Sequence, residues 1–408
     1  MASACKPSPN PLFLHLLLLI LLLLLAFLVT DTTASRNQQL RGSRRSRTRI
    51  RSLTNTMNVI DRCWRGSRNW AGERQRLASC SVGFAGKMSN NLGRGLRWYT
   101  VTDPRDDPLR PRYGTLRYGA TLLKGKVWIT FRRNMRITLQ KPLLVKSGTT
   151  IDGRGADVHI ANGASFLLYE VSDVIIHGLH FHECKGQSPG PVVGPGGKVI
   201  QLGGYDGDAI RLVGASKVWI DHNTFSHSED GLLDVTRGST GVTISNNWFK
   251  DHDKVMLLGH DDAFFQDRKM KVSLLFNRFG PNCNQRLPRA RHGYVHAANN
   301  FYDGWGLYAI GGSMSPTIRS EANLYVARRA GRKKVTSRIG GRGKSWNWVS
   351  VNDEFQNGAY FRQSGTGGST TNPGYNSRQR FRVATAKQVR LLTRNAGALR
   401  CSTKRLRC

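Results

Sequence analysis

The stretch VWIDHNTF at 218–225 returns as VTISNNWF at 242–249. Each is a short run of alternating β-branched and polar residues that ends in an aromatic, the pattern of a strand running into a turn. With the β-branched residue as position zero, the aromatic stands at plus seven in Val174/Phe181, Val218/Phe225, Val242/Phe249, Val272/Phe279, Val295/Tyr302 and Ile318/Tyr325. Asn stands at plus five in five of the six, as Asn223, Asn247, Asn277, Asn300 and Asn323. The starting positions lie 44, 24, 30, 23 and 23 residues apart, so one unit is about 23 residues and the first gap is read as holding two. A period in this range belongs to a solenoid. The units are too short in helical periodicity for helix-based repeats. Stacked coils bury the apolar positions, and Asn at one level forms a side-chain ladder along the stack. The spacing predicts an all-β chain, a parallel β-helix.

Around this core the chain changes character. Residues 12–29 are one apolar run followed by small residues up to Ala34, which predicts a secretory signal peptide over 1–34. The alternative is an uncleaved anchor, because the run is long and the arginines follow it. Residues 35–57 read as a basic, disordered arm. The β-helix is expected over 58–340. Residues 341–408 are expected to form loops over the flank and, at 384–399, a helix that caps the solenoid.

The formal net charge is +36 over 408 residues, which suits a polyanionic partner without choosing one. A secretory signal and the lack of a nucleic-acid-binding module exclude nucleic acid. Six cysteines remain beyond the signal, and Cys63–Cys80 and Cys401–Cys408 are the expected disulfides. Cys184 and Cys283 are left either paired or free.

The chain holds 26 acidic residues, and 11 of them fall between 206 and 267. Asp206 and Asp208 lie in DGDAI; Glu229, Asp230 and Asp234 lie in EDGLLD, one coil on. Stacked side by side, these carboxylates repel unless a cation or protons neutralise them. Hard oxygen ligands favour calcium over transition metals. Solvated turn aspartates are the plainer alternative. Lys254 lies one coil further, and Arg286, Arg289 and Arg291 follow the next strand. Such a row fits a string of sugar carboxylates.

DGDAI, VWIDH, EDGLLDVTRGSTGVTISNN, HDKVMLLGH, QRLPRARHGYVHAANN and YAIGGS, with DRCWR, NWAGERQRLASC, GTLRYG and TIDGRGADVHI upstream, resemble the plant pectate lyases and their pollen-allergen relatives. The resemblance spans about 58–330. It implies a right-handed parallel β-helix and calcium-dependent eliminative cleavage of pectate in the cell wall. It implies Asp206, Asp230 and Asp234 as calcium ligands with Asp208 accessory, Arg286 as the base, and Lys254 and Arg291 on substrate carboxylates. Polygalacturonate is the expected partner, the protein is expected to be a secreted monomer, and no membrane partner is expected after signal cleavage. His222 and His292 fall inside matched motifs and are read as structural. An arginine ordinarily keeps its proton, so Arg286 acts either as a base made more acidic by nearby cations or as a charge stabiliser. A wall-binding protein of the same fold with little turnover is the alternative function. Gly66 stands where the family usually has a second Cys after the Trp, and VWIDHNTFSHSEDG departs in core positions, but no implied site residue is replaced.

Overall fold

The computed structural model describes residues 56–67, 69–339, 347–365, 371–402 and 408, with part of 11–25. Contacts divide the chain into residues 1–56 and 57–408. In the first unit the described residues of 11–25 are helical. The expected cleavage position near Ala34, and the arm up to residue 55, lie outside the described residues. Among the described residues no helix is long and apolar enough to cross a membrane.

The second unit is a parallel β-helix of three sheets, with ten, nine and eight strands among the described residues. One coil runs from Ser216–Asp221 in the ten-stranded sheet to Thr224–Ser226 in the nine-stranded sheet and Leu233–Thr236 in the eight-stranded sheet. It re-enters the first sheet at Thr240–Ser245, with Val218 level with Val242. Val218, Ile220, Val242, Ile244, Val272 and Leu274 point inward and are fully buried. The plus-seven aromatics stack face to face along the bore, from Phe181 through Phe225, Phe249, Phe279, Tyr302 and Tyr325 to Phe355, at 4.4–5.6 Å between centroids. Each asparagine of the ladder takes the backbone N–H of the one before it; Asn223, Asn247 and Asn277 donate to Asn247, Asn277 and Asn300 at 2.9–3.0 Å.

Three expectations are corrected. The 44-residue gap holds one coil, because Val218 pairs directly with Val174. The surplus chain leaves the stack as an antiparallel hairpin of Gly190–Val193 and Val199–Leu202. Nor does the stack stop at 340. Asn347–Val351 pairs with Thr317–Glu321, and Asp353 takes the ladder position, accepting from the Asn323 N–H at 2.7 Å. Its aspartate and its Trp348 start hid that coil from an Asn-and-β-branched pattern. The helix expected over 384–399 is one turn, Val389–Leu392, closed at Thr393, whose N–H donates to the Val389 carbonyl. It lies on the flank: Leu392 packs with Ile60 and Trp64, and Val389 with Phe301 and Leu324.

That flank explains why the central strands of the ten-stranded sheet are buried on both faces. Trp128, Ile175 and Trp219 point outward, and a segment containing the helix Val59–Arg65 covers them. Asn58 caps this helix by accepting from the N–H groups of Ile60 and Asp61. Cys63–Cys80 and Cys401–Cys408 are disulfides, while Cys184 and Cys283 are buried free thiols.

Candidate functional site

The eight-stranded sheet sets the site's register. Across it, Arg211, Asp234, Leu257 and Arg289 stand level on consecutive coils. The segments that lead into these strands carry Asp206 and Asp208, then Asp230, then Lys254, then Arg286. Acidic coils therefore abut basic coils along one corner of the solenoid.

Four of the sequence-selected carboxylates sit on two neighbouring coils. Asp208 is buried and its Oδ1 accepts from the Gly231 N–H at 2.9 Å. Asp234 is buried, and its Oδ1 has no hydrogen-bond partner. A Cβ added to Gly231 would stand 2.7 Å from Asp208 Oδ1 and 2.8 Å from Asp234 Oδ1, so both oxygens converge beside this glycine. Burial, with Asp230 and Asp206 nearby, pushes Asp208 up to about 6. Burial, Asp208 and Asp230 raise Asp234 well above the usual carboxylate range. Asp230 Oδ1 is 2.8 Å from Lys254 Nζ, and Asp206 Oδ2 is 3.2 Å from Arg211 Nη1.

These observations test whether the residues suit a hard divalent cation. A buried carboxylate oxygen without a donor, a second converging on it, and two rim carboxylates each paired with one cation form an oxygen-only set of the calcium type. Two buried acids that resist ionisation next to each other are stabilised by an added positive charge. The donor set fits.

Arg286 is placed by a bulge. Lys254 pairs with Gln285, yet Leu257 pairs with Arg289, so three residues oppose two between these points. Arg286 begins the bulge with φ of +61°, while its carbonyl accepts from the Met256 N–H at 2.7 Å. Bulges re-aim side chains, and a left-handed non-glycine residue is retained only where surrounding contacts fix it. Arg291 leaves the next strand with its Nη1 donating to the Gly259 carbonyl at 2.8 Å and its Nε 3.5 Å from Asp262. Burial together with Arg289 and Arg286 lowers its pKa, although Asp262 acts against this.

His222 and His292 lie away from this corner's carboxylates. His222 is buried with Nε2 2.6 Å from Asp61 and Nδ1 3.0 Å from the Gly397 carbonyl. His292 Nε2 is 3.0 Å from the Asp262 carbonyl oxygen. Arg211 was missed by sequence reasoning. It lies in a strand that reads as core, and only the register sets it level with Asp234. It also borders an open hollow of ≈ 430 Å³ lined by Tyr205, Leu167, Tyr169 and Arg237, beside the carboxylates rather than over them.

Fold and site together define a parallel β-helical protein whose corner sets a carboxylate cluster against a basic column. A family model described as pectate lyase matches residues 137–399. Over 349 residues the chain is 51% identical to pectate lyase 1 of Juniperus virginiana, covering 84% of this chain and 94% of that one. It is 49% identical over 350 residues to probable pectate lyase 16 of Arabidopsis thaliana, covering 85% and 88%. The crystal structure of Jun a 1, the major allergen from cedar pollen, matches with TM-score 0.80 at 49% identity over 84% of this chain and 99% of that one. The chain belongs to the pectate lyase family.

Proposed function

We propose that this protein is a secreted, calcium-dependent pectate lyase that cleaves polygalacturonate in the plant cell wall by β-elimination and acts as a monomer. The observation that carries the reading is the pair of converging buried carboxylates, Asp208 and Asp234, with Asp234 one coil from Lys254 and two from Arg286. Family membership supports the same substrate class.

Asp206, Asp230 and Asp234 would hold calcium, with Asp208 as the accessory ligand. Calcium, when bound, supplies a positive charge that stabilises the anion formed next to a substrate carboxylate. The Lys254 ammonium and the Arg291 guanidinium hold galacturonate carboxylates, the guanidinium in bidentate fashion. Arg286, in its neutral form, is the base that accepts the C5 proton. As that C–H bond breaks, its electrons form the C4–C5 double bond, and the C4–O4 bond breaks with its pair leaving on O4. The departing O4 takes a proton from water and the new non-reducing end is unsaturated. Arg291 is well suited to the substrate because its own partners, Gly259 and Asp262, fix its direction.

The test is ultraviolet absorbance of unsaturated ends from polygalacturonate, measured with calcium, with chelator, and with Arg286→Ala. Absorbance that needs both calcium and Arg286 is expected. Reducing ends without absorbance would mean hydrolysis, and bound polymer with neither signal would mean a wall-binding protein.

A further inference from the structure

Outside the acidic corner, the nine-stranded sheet carries a second group of metal-ligating side chains. His159 in Val158–Ala161 pairs in register with His180 in His180–His182 on the next coil. Their rings stack at 4.6 Å and 13°. Asp157 precedes the first of these strands, and its Oδ1 lies 3.2 Å from His159 Nε2 and 3.2 Å from His180 Nε2. One atom from each residue lies within 4.8 Å of the other two.

The hydrogen bonds behind these rings fix what faces the carboxylate. His182 Nδ1 is 3.1 Å from Glu183 Oε2, and His182 Nε2 is 2.9 Å from His159 Nδ1. Glu183 is in turn 3.8 Å from Arg136. With neutral imidazoles the chain runs one way. His182 donates from Nδ1 to Glu183, so its Nε2 accepts the proton on His159 Nδ1. His159 Nε2 is then a bare lone pair aimed at a carboxylate oxygen. Two acceptors at that separation repel unless a cation lies between them. A histidine ligand whose far nitrogen donates into such a chain has the usual supporting arrangement of a metal-bound imidazole.

We propose that Asp157 Oδ1, His159 Nε2 and His180 Nε2 form a binding site for a divalent transition metal of the zinc class, separate from the acidic corner. Ligands at about 2.0–2.1 Å in tetrahedral array lie roughly 3.3 Å apart, close to both carboxylate–imidazole separations, and the stacked rings need only tilt toward each other. Two imidazoles and one carboxylate favour zinc over calcium, the reverse of the oxygen-only corner. The three side chains are 25–33% exposed, so an ion reaches them from solvent. Asp157 and His180 border a hollow of ≈ 300 Å³ shared with Leu399, Arg400 and Cys401, which leaves room for a water as fourth ligand. Because the ligands come from two hydrogen-bonded coils, the ion would tie adjacent coils together where the tail crosses them.

The test is calorimetric titration of untagged protein, saturated with calcium, with zinc chloride alone. One zinc per chain is expected. His159→Gln and His180→Gln each weaken it at least tenfold, and Glu183→Gln weakens it about tenfold through His182. Cobalt(II) should give the visible bands of a tetrahedral site in the parent and not in His180→Gln. Circular dichroism establishes that each variant is folded, and Asp234→Asn serves as a control that keeps the zinc site. Absence of binding, binding unaffected by the histidine variants, or loss of zinc in Asp234→Asn would each overturn the proposal.

Discussion

Lys254 Nζ lies 2.8 Å from Asp230 Oδ1, so a side chain assigned to the substrate is paired with a side chain assigned to the metal. The two compete. Their side chains are 39% and 32% exposed, so the pair contributes no more than about 1 kcal/mol. Lys254→Met is expected to tighten calcium binding by roughly two- to five-fold, because Asp230 is released. The same change is expected to cost about 10²-fold or more in turnover, since a charge next to the developing anion is lost. Calorimetry and unsaturated-end absorbance on one preparation separate the effects. Weaker calcium binding in the variant would contradict the competition.

Gly231 is needed for its missing side chain rather than for its backbone, which lies outside the left-handed region. Gly231→Ala puts a methyl between Asp208 and Asp234 and is expected to raise half-saturating calcium at least tenfold with little change in melting temperature without calcium. A parent-like calcium requirement would remove these oxygens from the site.

Asp234→Asn tests the same cluster from the stability side. Replacing a buried acid that neighbours Asp208 and Asp230 relieves repulsion, so the calcium-free variant is expected to melt a degree or more above the parent at pH 7. Added calcium should stabilise the parent and not the variant. Thermal scans with and without calcium check both signs.

Asp61, Arg65 and His222 form a buried clamp between the helix at 59–65 and the strand turn at 222. Burial alone would raise Asp61, but Arg65 and His222 hold it down to about 2. A depressed acid contributes stability above its unfolded value of about 3.9, and this is lost as pH falls toward 2. Burial opposes charge on His222, yet Asp61 and Asp221 raise its pKa overall. That contribution is complete below about 6.5 and is lost as pH rises through the elevated value. The stability difference between the parent and His222→Gln should therefore be greatest between about pH 4 and 6.5, at roughly 2 kcal/mol. Urea unfolding across pH 3–9 measures it, and a difference independent of pH would refute the clamp.

Asn277 satisfies several buried backbone groups at once. Its Oδ1 accepts from the Asn247 N–H, and its Nδ2 donates to the Ile244 carbonyl and to Asn300. Asn277→Ala orphans these groups and is expected to destabilise the fold by roughly 3–5 kcal/mol, read from the urea midpoint. A loss under 1 kcal/mol would mean that water replaces the ladder.

The parts of the fold visible in the sequence were those repeated with one residue type. Asn at plus five and an aromatic at plus seven marked the ladder and the stack because each occupies one level of every coil. The left-handed corner at plus four stayed hidden. Gly178, Asn246 and Asn299 suit it, with φ of +78°, +53° and +55°, but Phe276 and Ala322, at +56° and +50°, do not select that conformation by themselves. Their strain is held by the ladder beside them. The coils before Val174 were hidden for another reason: Ile160 is level with Phe181, but the turn at 152–157 lengthens the register. For the site, the acid clusters and basic segments were legible as local charge patterns, whereas Arg211 was not, since its proximity to Asp234 is a cross-coil relation.

The amino-acid sequence by itself determined the β-helix, its inward pattern and the residues that give the acidic corner its chemistry. A solenoid repeats one local rule per coil, so periodicity and motif are written directly in the chain. Only the tertiary structure decided which coils are neighbours, how Arg286 is re-aimed by a bulge, and that Asp157, His159 and His180 meet. Those depend on register between coils, which is set by the lengths of the excursions between strands. Loop length costs little free energy and leaves no periodic mark in the sequence.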